Sequence, residues 1–155
     1  MQVAPQKWNA DDYAANSSAQ TQWAQEIISK LDLRGNEVVL DVGCGDGKIS
    51  AQIARVVKDG EVLGIDLSAD MIRRASQTFP SSSNPNLEFL RMDAAGMALP
   101  QRFDIAFSNA ALHWVQDHPA VLRGVRSCLN LDSAVEPVAR PIKALKMGEK
   151  IVKLS

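Results

Sequence analysis

The stretch that most restricts the fold runs Val38-Val39-Leu40-Asp41-Val42-Gly43-Cys44-Gly45-Asp46-Gly47. A run of β-branched and aliphatic residues, interrupted only by Asp41, reads as a buried strand, and the alternating glycines after it, ahead of a helical pattern, read as a tight strand-to-helix turn. Glycine suits such a turn because it tolerates positive φ and because a side chain would keep a ligand away from the backbone amides. Asp66 follows at the tip of the next apolar stretch, where a carboxylate can accept hydrogen bonds from two ribose hydroxyls. The pair points to the adenosine half of a nucleotide-type cofactor. A dinucleotide fingerprint, G-x-G-x-x-G, fails here because Lys48 stands at its sixth position.

The rest of the chain alternates helix and strand. Trp23, Ile27 and Leu31, with Ala24 and Ile28 beside them, recur at the spacing of one helical face behind Ser17 and Ser18 as N-cap candidates. Gly35 and Asn36 end that helix. Val38 to Val42 is the first strand, and Lys48 to Val57 a helix with Ile49, Ile53, Val56 and Val57 inward. Asp59-Gly60 turns the chain into a second strand, Val62 to Ile65, and Ser68 caps a helix reaching about Thr78. After the loop Phe79 to Pro85, Leu87 to Arg91 and Phe103 to Ser108 are the third and fourth strands. Asp117 caps a last helix whose apolar face carries Val121, Leu122, Val125 and Leu129, with Pro119 tolerated in its first turn. Strands separated by helices require right-handed crossovers and a parallel sheet, so the expected class is α/β with a doubly wound sheet.

With 155 residues, 46% of them apolar, the chain can bury a core and fits one domain. Its formal charge is −1 and it has no Lys/Arg block, which argues against a nucleic-acid partner and toward a small-molecule one. No stretch approaches the roughly 18 apolar residues of a membrane span, and the polar start, Met1 to Ala10, lacks a signal-peptide core, so the expected compartment is the cytoplasm. Two cysteines, Cys44 and Cys128, make no disulfide framework. Cys44 reads as a compact residue within the turn. His113 and His118 are the only histidines, and no His/Cys cluster has metal-ligand spacing.

The D-x-G-x-G-x-G run from Asp41 to Gly47 resembles motif I of the class I S-adenosylmethionine-dependent methyltransferases. Gly64-Ile65-Asp66-Leu67-Ser68-Ala69-Asp70-Met71 is similar to the second-strand motif of that family, and Leu90-Arg91-Met92-Asp93-Ala94 to the third. Phe103 to Val115, including Ser108-Asn109-Ala110-Ala111-Leu112-His113-Trp114, resembles the fourth strand and following loop of its small-molecule branch, the trans-aconitate methyltransferase-like enzymes. The likeness covers roughly Trp8 to Leu129. It implies a Rossmann-like core over residues 1–130, opened by a lid helix within 1–34 and followed by a divergent tail, 131–155.

The resemblance also implies the site. Gly43, Gly45 and Gly47 face the methionine and ribose portions of S-adenosylmethionine, Asp66 the ribose hydroxyls, and Asp93 the adenine amino group. Cys44, Leu67, Ala94 and Asn109 join the cofactor-binding set by their places in the motifs. Two readings fit Met71: packing on the adenine face, or filling the core as thioethers do anywhere. Two also fit Asp41, which either meets the cofactor's ammonium group through water or braces the glycine turn. Ser108 to Val115 borders the sulfonium. Amine-methylating enzymes acting on nucleic acids and proteins often carry Asn/Asp-Pro-Pro-aromatic there, whereas this chain has Asn109-Ala110-Ala111-Leu112, which favours oxygen, carboxylate or carbon acceptors. His113 is the candidate catalytic residue, as general base for a hydroxyl or donor to a carboxylate; the alternative is a histidine pinned structurally between loop and helix. Trp114 lines the pocket, and Tyr13, Gln20 and Trp23 lie in the segment that folds over the cofactor in similar enzymes.

The tail departs from the family. Where the family continues with Leu-Lys-Pro-Gly-Gly and a fifth strand, Leu131 to Arg140 has no clear period, and only Ala144 to Leu154 is similar to a displaced version of that turn and strand; two readings fit it, a genuine fifth strand or an unrelated tail. The family's last two strands are missing. An open sheet edge invites a partner, and a homodimer through that edge is the expectation. Two functions follow: methyl transfer to a small molecule, or a shortened cofactor-binding module, inactive alone, serving as partner subunit or remnant.

Overall fold

The computed structural model describes residues 31–109 and 111–130, residues 22, 25, 26, 28 and 29, and the backbone of 142–147 and 150–154; the side chain of His113 falls outside this set. Four parallel strands, β1 (Val38–Val42), β2 (Glu61–Asp66), β3 (Leu87–Arg91) and β4 (Ile105–Phe107), form one sheet in the order β3-β2-β1-β4. The chain steps outward from β1 to β3 and then returns to the other side of β1. The order therefore reverses between β1 and β4, the switch point at which open α/β sheets bind ligands beyond the carboxyl ends of their strands.

Alternation along β1 distributes its side chains to two cores. Val39 packs with Ile53, Ala54, Val57, Val62, Ile105 and Phe107 on one face. Leu40 and Val42 pack with Ile65, Ala106, Val121, Val125 and Cys128 on the other. Helix α1 (Lys48–Val56) covers the first face, joined there by the buried Ile28 and Leu31, and helix α3 (His118–Cys128) covers the second. Helix α2 (Ala69–Thr78) seats its one buried residue, Ala75, close to Gly47. Helical residues at 22, 25, 26, 28 and 29 agree with an opening helix, while Trp23, Ala24 and Ile27 lie outside the described residues.

The expected caps form. Ser68 Oγ accepts the Met71 amide at 3.3 Å, and Asp117 Oδ1 accepts the Ala120 amide at 2.9 Å, with Pro119 in the first turn of α3. Of the residues expected inward on α1, Ile53 is fully buried and Ile49 packs against the same core, and Val56 alone departs. Val56 is 44% exposed, whereas Val57, just past the helix end, is fully buried. The buried face carries Ser50, Ala51 and Ala54 beside Ile53, so aliphatic spacing finds Ile53 but passes over its small and polar neighbours. β4 is shorter than expected. At its start the amide of Phe103 donates to the Cys128 carbonyl and its own carbonyl accepts from Asn130, while beyond its end Ser108 Oγ donates to the Val42 carbonyl at 2.8 Å.

The tail is a hairpin rather than a turn and one strand. β5 (Ile142–Met147) pairs antiparallel with β6 (Lys150–Leu154), Met147 opposite Lys150, which leaves Gly148-Glu149 as a two-residue connection in sequence. Gly-x between alternating runs is a hairpin signal. β5 lies beside β4 without joining its hydrogen-bonded sheet, so the β4 edge expected to be bare has backbone alongside it.

Candidate functional site

At the end of β1 the chain enters the glycine turn, where Gly43, Gly45 and Gly47 have φ of 77°, 55° and 80°. These left-handed angles explain the glycines before any ligand is considered. The turn is tied to the neighbouring strand, because the amides of Gly43 and Cys44 both donate to the Ile65 carbonyl, at 2.8 and 2.9 Å. The Gly45 amide donates to Asp66 Oδ2 at 3.0 Å, and the Ser68 amide to Asp66 Oδ1 at 2.8 Å. Two backbone amides thus fix the Asp66 carboxylate at the tip of β2. A carboxylate has about four lone-pair sites, so both oxygens keep capacity for further donors.

The glycines are not equivalent. A Cβ on Gly43 would stand 2.1 Å from Ala111 Cβ, so the loop after β4 seats directly on the turn. A Cβ on Gly47 would meet the Phe89 ring at 2.5 Å and Ala75 Cβ at 3.0 Å, which makes this buried glycine a packing requirement between α1, α2 and β3. Cys44 is buried against Gly64, where a Cβ would approach its Sγ to 3.0 Å. Burial, with Asp41 and Asp66 near, pushes its thiol far above the ordinary cysteine range. Its burial agrees with the compact residue the sequence suggested, and its raised thiol makes it unreactive.

Asp41 is 2% exposed and accepts a hydrogen bond from Ser50 Oγ at 2.6 Å. Burial, opposed by that bond and assisted by Asp66, pushes its carboxyl up to about 7. Residue pattern alone does not single out Ser50; its signal is a hydroxyl at an inward position of an otherwise apolar helix face.

The remaining residues ring the same end of the sheet. Leu67, 61% exposed, follows Asp66, and its carbonyl accepts from Arg91 Nε at 3.1 Å. Met71 is half-buried in the first turn of α2. Asp93 lies past β3 and caps a short 3-10 turn that includes the half-buried Ala94, its Oδ1 accepting the Ala95 amide at 2.9 Å. Asn109 is half-buried just past β4, and Trp114 is 57% exposed in the turn Leu112–Trp114, which His118 Nε2 meets at the Leu112 carbonyl, 2.8 Å away. Tyr13, Gln20 and Trp23 fall outside the described residues. Among the described residues no group of three or more His, Cys, Asp or Glu could hold a metal, and no helix is long and apolar enough to cross a membrane.

Two cavities lie elsewhere. One, of about 510 Å³, is lined by Ile28, Leu33, Gln52 and Arg55 against α1, and the other, of about 310 Å³, by Glu61, Asn86, Glu88 and Arg102 around the starts of β2 and β3. Neither touches the glycine turn. Chemistry favours the turn: left-handed glycines and a carboxylate pre-oriented by amides fit a ribose-bearing cofactor.

Comparison with known proteins agrees with that fit. A family model described as "Methyltransferase domain" matches residues 39–132. The trans-aconitate 2-methyltransferase of Deinococcus radiodurans is 36% identical over 115 residues, 74% of this chain and 42% of the relative. That of Rhodopseudomonas palustris is 30% identical over 128 residues, 83% of this chain and 48% of the relative. The crystal structure of an S-adenosylmethionine-dependent methyltransferase from Mesorhizobium loti aligns with a TM-score of 0.59 at 32% identity, covering 68% of this chain and 47% of that one. The chain spans about half the length of the curated relatives it matches. Glycine turn, sheet order and matched sequence together place the chain in the class I S-adenosylmethionine-dependent methyltransferase family, built on a Rossmann-like sheet.

Proposed function

We propose that this chain binds S-adenosylmethionine at the carboxyl ends of β1 and β4 and serves methyl transfer to a small-molecule oxygen, carboxylate or carbon acceptor, a carboxylate first among them. The observation that carries the acceptor class is the likeness to two trans-aconitate 2-methyltransferases, since trans-aconitate is a carboxylic acid. The sequence Asn109-Ala110-Ala111-Leu112 after β4, without the paired prolines of amine-methylating enzymes, supports it. Nothing in the fold or the matched relatives favours the partner-subunit alternative.

When bound, S-adenosylmethionine supplies an electrophilic methyl group on sulfonium. In this reading Asp66 binds the ribose hydroxyls with the oxygens that Gly45 and Ser68 already orient, and Gly45 lets the turn approach the ligand while Gly43 seats the loop after β4 on the turn. Asp93 accepts from the adenine amino group, with Leu67, Met71 and Ala94 beside the base. Asp41 acts from beneath the turn. Asn109 and Trp114 border the acceptor, together with Tyr13, Gln20 and Trp23. Holding donor and acceptor in line is the main catalytic task, because an activated methyl donor asks little further chemistry of the protein. A carboxylate acceptor brings its own charge and leaves no proton to remove. A hydroxyl acceptor gives its proton to a base, the role assigned to His113.

Incubation of the protein with S-adenosylmethionine and a panel of small carboxylic acids, phenols and amines, with S-adenosylhomocysteine release as the readout, tests this. Turnover confined to acids or phenols is the expected result. Turnover only with amines, or none alongside tight S-adenosylhomocysteine binding, overturns it.

A further inference from the structure

Ser50 has no place in the motif reading, yet it is fully buried on the inward face of α1. A helical serine ordinarily turns its hydroxyl to water or back to its own helix. Here the hydroxyl crosses to β1 and donates to Asp41 Oδ2 at 2.6 Å. Asp41 sits where β1 pairs with both neighbours, opposite Gly64 and Phe107, two residues before Gly43 opens the glycine turn.

We propose that Ser50 is a positioning residue for cofactor binding: by donating to Asp41 Oδ2 it fixes that carboxyl group beneath the glycine turn, oriented toward the cationic end of the cofactor.

The surroundings give the hydroxyl this weight. β2 brings the Asp66 carboxylate, and the turn brings Cys44 and Asp46, the latter paired with Lys48 Nζ at 3.0 Å. From β4 the register partner is Phe107, which carries no charge. Burial and Asp66 both oppose ionisation of Asp41, and the Ser50 bond is the interaction that favours it. A hydrogen bond to a charged acceptor is among the stronger ones, and a buried carboxylate stripped of it shifts toward its protonated form. A cation arriving on the turn favours the ionised form, so cofactor affinity rises with pH through the titration of Asp41, and Ser50 sets where that rise occurs.

The inference rests on the proposed cofactor site, and the experiment separates the two. S-adenosylhomocysteine binding is measured by calorimetry from pH 5.5 to 9 for the wild type, Ser50→Ala, Ser50→Thr and Asp41→Asn. The carboxyl carbon of Asp41 is followed by NMR over the same range in the ligand-free proteins. The expected result is a binding midpoint displaced upward by about one pH unit in Ser50→Ala, with the wild-type midpoint kept in Ser50→Thr and the pH step lost in Asp41→Asn. The ligand-free Asp41 titration moves by the same amount. If Ser50→Ala does not fold, Ser50→Cys, of similar volume and weaker donor strength, carries the same comparison. A role confined to packing lowers stability without moving the midpoint. Superimposable pH profiles in Ser50→Ala and wild type overturn the role of Ser50 alone; absence of binding at every pH by folded protein overturns the cofactor reading and this inference with it.

Discussion

Asp66→Asn is the sharpest probe of the site, because the substitution keeps shape and removes chemistry. In the folded protein each carboxylate oxygen accepts a backbone amide, Gly45 at 3.0 Å and Ser68 at 2.8 Å. The amide side chain has one acceptor oxygen, so its NH2 must face one of those two N–H donors, leaving a donor against a donor. An unsatisfied or opposed group of this kind costs about 1–3 kcal/mol, less where water reaches it, and Asp66 is only half-buried. A stability loss of about 1–2 kcal/mol by urea denaturation is therefore expected. Binding suffers separately. Two ribose hydroxyls lose a charged acceptor, and at about 1–2 kcal/mol for each, S-adenosylhomocysteine affinity falls by about 30-fold to 1,000-fold in calorimetry. Asp66→Ala, which also removes the brace on the turn, falls at least as far. Affinity within threefold of wild type in a folded Asp66→Asn protein refutes the ribose assignment, and unchanged stability refutes the amide-clamp argument.

Gly47→Ala forces a left-handed alanine against Phe89 and Ala75, and the backbone and overpacking costs together predict a loss of about 2–5 kcal/mol in urea denaturation, partly relieved when Phe89→Leu is combined with it. The Asp41 carboxyl, held near 7 when folded and near the ordinary carboxylate value when unfolded, keeps its proton longer in the native state. The native state therefore binds more protons across roughly pH 4 to 7, so this group makes stability fall as pH rises through that window, by up to about 4 kcal/mol; Asp41→Asn removes that part of the slope in denaturation curves from pH 4.5 to 8. Cys44 and Cys128 are both buried with thiols pushed above the ordinary range, and a disulfide-exchange reagent at pH 8 is expected to label neither until denaturant is added.

Much of this fold is legible where chemistry is local. The strand-turn-helix unit at Gly43 to Gly47, the caps at Ser68 and Asp117 and the four strands all follow from patterns within a few residues. Failures arise where distant residues decide. Val56 shares the spacing of Ile49 and Ile53, yet at the end of α1 it is Val57 that is buried, and nothing near Val56 announces that. Gly47 reads as a ligand-facing glycine by motif, while its neighbours Phe89 and Ala75 come from β3 and α2. The bond from Ser50 to Asp41 spans two elements that pattern reading treats one at a time. In the tail the Gly148-Glu149 pair is as compatible with the turn before a single strand as with a hairpin, and the pairing of β5 with β6 decides between them.

The carbonyl of Ile65 accepts two amides of the glycine turn, and Asp66 beside it accepts a third from Gly45, 21 residues earlier in the chain. The ligand cradle is therefore shaped by β2 as much as by the segment that carries its glycines. During synthesis from the amino terminus the turn is made well before the strand that tethers it. Until β2 docks, the glycines are free to wander through their large conformational space, and their ordering is deferred to the moment of strand pairing. Binding competence thus arrives with a long-range folding event, and a short peptide bearing only the glycine motif inherits none of it.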